Sequence, residues 1–177
     1  MLRLKKFIQT QRGGKEFKIG FVFPMPGIRG TVKNVFKECG NGLVGEMVIG
    51  PTDVIKEDYD ILFVDESHRL SKRKNLTGYK SFDDVSRLLD LEPTKTNQLE
   101  WVLKSAKHIV LFYDKSQSVK SSDISHDEYE NTLKKYNYVT NEHILETQMR
   151  CEGGDTYLQY IKDIMTCRRK ECENMEN

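Results

Sequence analysis

The run DILFV (residues 60–64) is apolar without alternation, and it is followed at once by Asp65, Glu66, Ser67 and His68. Carboxylates that leave a buried strand are costly unless a cation or a set of hydrogen-bond donors uses them. One use is well defined in phosphoryl transfer. The first carboxylate, Asp65, would hold a hydrated Mg2+, and the second, Glu66, would orient or deprotonate the attacking water. The same pattern also arises where a strand simply reaches solvent. A second apolar run, IVLFY (109–113), ends in Asp114, with Gln117 three residues on. A glutamine so placed can donate to a γ-phosphate and to the lytic water at once, while Asp114 can equally cap a turn. A short run at Ile144 and Leu145 leads to Arg150. Its guanidinium could supply charge to a transferring phosphoryl group, although most arginines are plain surface residues. The three sites together are stronger than any one of them, because they fall in the order magnesium acid, phosphate sensor, arginine.

The elements that would position these residues alternate between strand-length runs and segments of helical period. KIGFVF (18–23) reads as a strand that stops at Pro24-Met25-Pro26-Gly27, which cannot continue a ladder. Val32, Val35, Phe36 and Cys39 then recur at helical spacing, with Thr31 as a candidate N-cap and Gly40 as the stop. EMVI (46–49) is a short strand candidate before Gly50-Pro51. Further helices are expected from Ser81, with Asp84 three residues on; from Asn97, with Leu99, Val102, Leu103 and Ala106 on one face; and from Ser125, with Glu128 as its capping partner. A strand is expected at 144–148, and a last helix from Asp155 with Tyr157, Tyr160, Ile161 and Ile164 as its apolar face. Non-alternating strands separated by amphipathic helices imply an α/β fold with a mainly parallel sheet covered on both faces. In such sheets ligands bind beyond the carboxyl ends of the strands.

Composition narrows the function classes. The 177 residues carry 28 Lys and Arg against 27 Asp and Glu, a formal net charge of +1. That excludes a protein that coats nucleic acid by overall charge alone. The longest apolar run has five residues, at 109–113, far from the roughly 20 needed to cross a bilayer. No membrane partner is expected, and no secretory signal is read after Met1. The four cysteines form no C-x-x-C pair and have no histidine at zinc spacing, which fits reduced thiols in a cytoplasmic protein. Trp101 sits among Leu99, Val102 and Leu103 and is expected in the core rather than stacked on a base. The basic run Arg69, Lys72, Arg73 and Lys74 could meet nucleic-acid phosphates or be an ordinary solvated face.

Several segments resemble a known family. VDESHRL (64–70), LFYDKSQS (111–118) and TQMRCEGGDTYLQYI (147–161) are similar to the ATPase core of superfamily-one helicases. The closer likeness is to the Schlafen group 3-like DNA/RNA helicase domain, and GFVFPMPGIRGTVKNVFK (20–37), NLTGYKSFDDVSRLL and TNQLEWVLKSAKHIVLFYD share it. The resemblance runs from about residue 17 to 166. It implies a three-layer fold of the RecA-like P-loop NTPase type, ATP and Mg2+ as cofactors, and DNA or RNA as partner. It casts Asp65 as the magnesium acid, Glu66 as the base, Gln117 as the γ-phosphate sensor and Arg150 as the arginine finger, with Asp114 also at the cofactor. Arg29 and Thr31 would contact the nucleic-acid backbone, and His68 would link the ATP site to the strand track.

One departure from that family stands out. Its first motif, a strand followed by G-x-x-x-x-G-K-[S/T] and a helix, is not found in these residues. Gly13-Gly14-Lys15 is followed by Glu16 and reads as an exposed turn, while Leu4, Phe7 and Ile8 share one helical face just before it. The expectation is therefore a partial first RecA-like lobe over 1–166 that starts after the phosphate loop, with a charged, frayed tail at 167–177. Its partners would include the phosphate-loop segment or a second lobe. The expected sheet order is 46–49, 18–23, 60–64, 109–113, with a defect beside 109–113 before 144–148. Three functions stay open: part of an ATP-dependent helicase-like NTPase, a non-hydrolysing interaction module of the same fold, or a Mg2+-dependent phosphohydrolase or nuclease built on Asp65, Glu66 and Asp114.

Overall fold

A computed structural model describes residues 17–115, 117, 120–136, 138, 141–145 and 154–166. The chain divides into two compact units, Met1–Tyr138 and Val139–Asn177. The first unit holds four strands: β1 (Ile19–Val22), β2 (Val48–Ile49), β3 (Tyr59–Val64) and β4 (Ala106–Leu111). They form one parallel sheet in the order β2-β1-β3-β4. The register aligns Val22 with Val64 and Val64 with Leu111, so the strands end level at one edge. This is the expected order, and it makes the molecule a mixed α/β protein with an all-parallel sheet.

The helices form where local chemistry favours them, though two begin earlier than the sequence suggests. Helix α1 (Pro26–Cys39) starts at Pro26, because proline's fixed φ suits the first helical turn and its missing N–H is not needed there. The Pro-Gly pair therefore opens this helix instead of only breaking the strand, and Thr31 lies inside it rather than at its cap. Gly40 closes it at φ 56°, as expected. Helix α2 (Tyr79–Leu88) starts from Gly78, so Ser81 is an interior residue and not the cap. Helix α3 (Gln98–Ser105) is capped by Asn97, whose side chain accepts from the Glu100 N–H at 3.1 Å. Helix α4 (His126–Lys135) has the full Ser125–Glu128 capping box. The second unit contains α5 (Gly154–Met165). Ile144 and Leu145 lie in no strand and are 83% and 84% exposed. The expected strand there is not present in its described residues, and its remainder at 146–148 lies outside them.

One face of the sheet carries the core. Val22, Leu62 and Val64 join Phe82 and Val85 of α2 and Leu99, Trp101, Val102 and Leu103 of α3 in a single buried cluster. Trp101 is fully buried, tilts against Phe82 at 4.5 Å and donates its indole N–H to Ser86 Oγ at 3.2 Å. Gly20 is required by close approach, since a Cβ there would lie 2.7 Å from a Leu62 methyl. The other face is thinner. Phe36 of α1 meets Phe21 edge-on and Phe21 stacks on Phe63, each pair with ring centroids 5.0 Å apart. Beyond Phe63 no helix of the described residues is seen to cover this face. β3 therefore alternates wholly buried Leu62 and Val64 with half-buried Ile61 and Phe63, and β4 is mostly exposed. Two uniformly buried strands were expected. The alternation arises because helices pack closely on only one side of this half of the sheet among the described residues. β4 is also the sheet's edge among the described residues, which agrees with the expected defect.

Candidate nucleotide site at the carboxyl edge

The level strand ends bring the turn after β3 beside the chain that leaves β4. The Asp65 N–H donates to the Val22 carbonyl at 3.0 Å, extending the ladder by one residue. Glu66 then turns into the left-handed region at φ 48°, ψ 46°. The other described non-glycine residues with positive φ are two asparagines and an aspartate, types that tolerate it. A glutamate gains no such local compensation, so the turn holds strain of the order of 1–2 kcal/mol. The surroundings fix it. The Ser67 N–H and hydroxyl both donate to the Phe112 carbonyl, at 2.8 and 2.9 Å, and the hydroxyl lies 3.2 Å from the Tyr129 hydroxyl of α4. Burial pushes Tyr129 well above the ordinary phenol range, so it stays a neutral hydroxyl.

His68 is 1% exposed and ties the two strand ends together. The Asp114 N–H donates to His68 Nδ1 at 3.3 Å. An imidazole that accepts at Nδ1 carries its proton on Nε2. That nitrogen lies 2.9 Å from Glu66 Oε2, though no acceptor lies on the line of its N–H. Beyond His68, Gln117 Nε2 donates to Asp114 Oδ2 at 2.6 Å. Glu66, His68, Asp114 and Gln117 thus form one chain of contacts across the carboxyl ends of β3 and β4. Asp65 stands at its root. Arg150 lies outside the described residues.

A divalent cation here would rely on few protein ligands. Among the described residues no three of His, Cys, Asp or Glu converge as a metal cluster. Mg2+ is commonly held by one or two carboxylates together with water and phosphate oxygens, a role that Asp65, half-buried at the strand end, can fill. Glu66 and Gln117 could face a water or a phosphate from either side of that point.

The residues expected to meet nucleic acid are placed differently from one another. Arg29 is engaged inside the fold: Nε donates to the Phe23 carbonyl at 2.9 Å and Nη2 to the Pro24 carbonyl at 3.2 Å. Its guanidinium lies so close over Gly50 that a Cβ there would meet Nη1 at 2.5 Å. Thr31 is exposed on α1. Two residues of the basic run are paired, Lys72 with Glu128 at 2.7 Å and Arg73 with Asp83 through Nε and Nη2 at 2.7 and 3.0 Å. Residue type and spacing assign no role to Tyr129, Phe112 or Ser67, because nothing in spacing connects a serine after two acids with a tyrosine 62 residues away.

The model of the Schlafen group 3, DNA/RNA helicase domain matches residues 5–177. The chain belongs to that family. No curated protein and no solved structure matches it significantly. The described part of this Schlafen group 3 helicase domain has a parallel sheet with acids at its carboxyl edge, the place where ligands bind in sheets of this kind. No helix among its described residues is long and apolar enough to cross a membrane.

Proposed function

We propose that this chain forms part of an ATP-dependent DNA- or RNA-directed NTPase lobe, in which the carboxyl edge of β3 and β4 handles the γ-phosphate end of Mg-ATP. The observation that carries the reading is the left-handed Glu66 beside the buried His68, joined through Asp114 to the exposed Gln117 at the carboxyl ends of β3 and β4. Strain and burial at a strand end are tolerated where a ligand uses them. In this reading Asp65 holds the magnesium through water, Glu66 activates the attacking water, Gln117 reads the γ-phosphate, and Arg150 supplies transition-state charge. Mg2+, when bound, would neutralise charge on the β- and γ-phosphate oxygens. Thr31 and the half-buried Arg29 would lie toward the nucleic-acid backbone.

These residues contain no G-x-x-x-x-G-K-[S/T] run, so the donors that cradle the phosphates must come from elsewhere. With a phosphate-loop segment supplied, Glu66→Gln is expected to abolish ATP turnover while leaving ATP binding nearly intact, because it removes a base and not a ligand. Full turnover by that variant would overturn the assignment. A second reading is a non-hydrolysing interaction module of the same fold. Failure of turnover even in the complete wild-type assembly would support it.

A further inference from the structure

We propose that Tyr129 is a positioning residue for the turn after β3: from α4 its hydroxyl donates to Ser67 and so holds the neighbouring Glu66 in its left-handed conformation. Counting protons sets the direction of that bond. Ser67 has one hydroxyl proton, and it goes to the Phe112 carbonyl at 2.9 Å. That carbonyl also accepts the Ser67 N–H at 2.8 Å, which fills its two lone pairs. The 3.2 Å contact between Ser67 Oγ and the Tyr129 hydroxyl must then use the tyrosine proton. The reverse assignment would leave a phenol proton without an acceptor among the described residues, in a side chain that is 4% exposed. Buried donors are seldom left in that state.

The donor is delivered from a rigid base. α4 is tied to α3, where Asn97 Nδ2 donates to Thr132 Oγ1 at 3.0 Å and Lys135 Nζ lies 3.0 Å from Glu100 Oε2. The chain leading into α4 is paired with the chain leaving the turn. The Ile124 N–H donates to the Leu70 carbonyl at 3.0 Å, and the Lys72 N–H to the Ser122 carbonyl at 2.8 Å. The Tyr129 ring packs on Tyr113 with centroids 4.3 Å apart. These contacts fix where the hydroxyl stands, and the bond to Ser67 is the one that reaches the residue next to Glu66. A left-handed glutamate relaxes to an ordinary conformation unless its neighbours are fixed. Ser67 is held from two directions, by Phe112 and by Tyr129, so the peptide that follows Glu66 resists that rotation.

The inference deepens the reading of Glu66 as the residue that activates water and rests on it for its purpose, but its main test needs no nucleotide. Glu66→Gly and Glu66→Ala are compared by denaturant unfolding of the full chain, with Tyr129 and with Tyr129→Phe, which keeps the ring and removes only the donor. With Tyr129 present, the folding constant of the glycine variant should exceed that of the alanine variant by about fivefold. With Tyr129→Phe the alanine can relax, and the ratio should fall to about one. Ser67→Ala, which removes the acceptor, should lower the ratio in the same way. A tyrosine that only packs would weaken both variants alike; a fivefold ratio that survives Tyr129→Phe or Ser67→Ala would overturn the proposal, as would a ratio near one with Tyr129 in place. With a phosphate-loop segment supplied, Tyr129→Phe should also lower kcat by roughly tenfold at unchanged KM for ATP, and an unchanged kcat would equally overturn it. A wild-type assembly without turnover would count against the nucleotide reading, and the ratio would still decide whether Tyr129 holds the turn.

Discussion

Two regions that both rest on β3 are built on different principles. Behind the sheet, Leu62 and Val64 meet Trp101, Leu99 and Phe82 in a dry cluster whose one buried indole N–H has an ordinary acceptor in Ser86. That region gains its stability from area removed from water and from dense packing. Directly beyond Val64, the chain places a glutamate in a left-handed conformation, buries a histidine and a serine, and links them to Phe112, Asp114 and Tyr129. A protein that needed only a stable turn would place glycine or asparagine at residue 66. The difference teaches that the turn is held by its surroundings in a geometry it would not choose alone, which is what a ligand site requires.

The largest expected effect breaks the packed region. Trp101→Ala removes the cluster's largest fully buried side chain and the donor to Ser86, whose hydroxyl keeps its bond to the Phe82 carbonyl; it should cost about 3–5 kcal/mol in denaturant unfolding. A loss under about 1 kcal/mol would mean that the cluster is far looser than its burial indicates.

A smaller effect of unusual sign probes the turn. Glu66→Gly and Glu66→Ala both remove the carboxylate beside His68, so their difference isolates the backbone. The glycine variant is expected to be the more stable by about 1 kcal/mol, because glycine occupies the left-handed region without a Cβ clash. In an unstrained position alanine would be the more stable or equal, and that outcome would contradict the strain.

The smallest effect concerns α4, which braces the turn through Tyr129. Burial raises the Glu128 carboxyl, but hydrogen bonds from Lys72 and from the Ser125 amide and hydroxyl, with the Lys72 charge, outweigh it and leave it below its ordinary value of 4.5. A carboxyl lowered on folding stabilises the fold above its unfolded pKa, and that contribution fades as pH falls through 4.5 and below. Glu128→Gln should therefore flatten part of the acid limb of stability against pH, by no more than a surface ion pair and a cap supply. An unchanged acid limb would show that the pair contributes nothing.

Much of the frame was legible in the residues. The caps at Asn97 and Ser125, the Gly40 stop and the buried Trp101 follow from local chemistry that leaves a mark in sequence, whereas the sheet order, a non-local property, came from the family resemblance. β4 starts three residues before the expected 109, and Ala106, expected on the face of the preceding helix, is its first residue; Lys107 and His108, exposed on an edge strand, interrupt the apolar run that marks it. The two bonds that Arg29 gives to the Phe23 and Pro24 carbonyls were not legible, since only the bend between β1 and α1 creates them. The acids at the end of β3 were conspicuous from their position after an apolar run. The left-handed Glu66 and the Ser67–Tyr129 contact were not, since one is a backbone state and the other joins distant segments.

The most direct test of the central claim is an NMR titration of this chain with Mg-ATP. With no phosphate-loop sequence to supply donors, binding no tighter than about millimolar is expected. Amide shifts should concentrate at Asp65–His68 and Asp114–Gln117, and leave Lys18, Asp60 and Lys107 at the opposite edge of the sheet unmoved. Micromolar affinity, or shifts centred on that opposite edge, would contradict the assignment of the nucleotide to the carboxyl ends of β3 and β4.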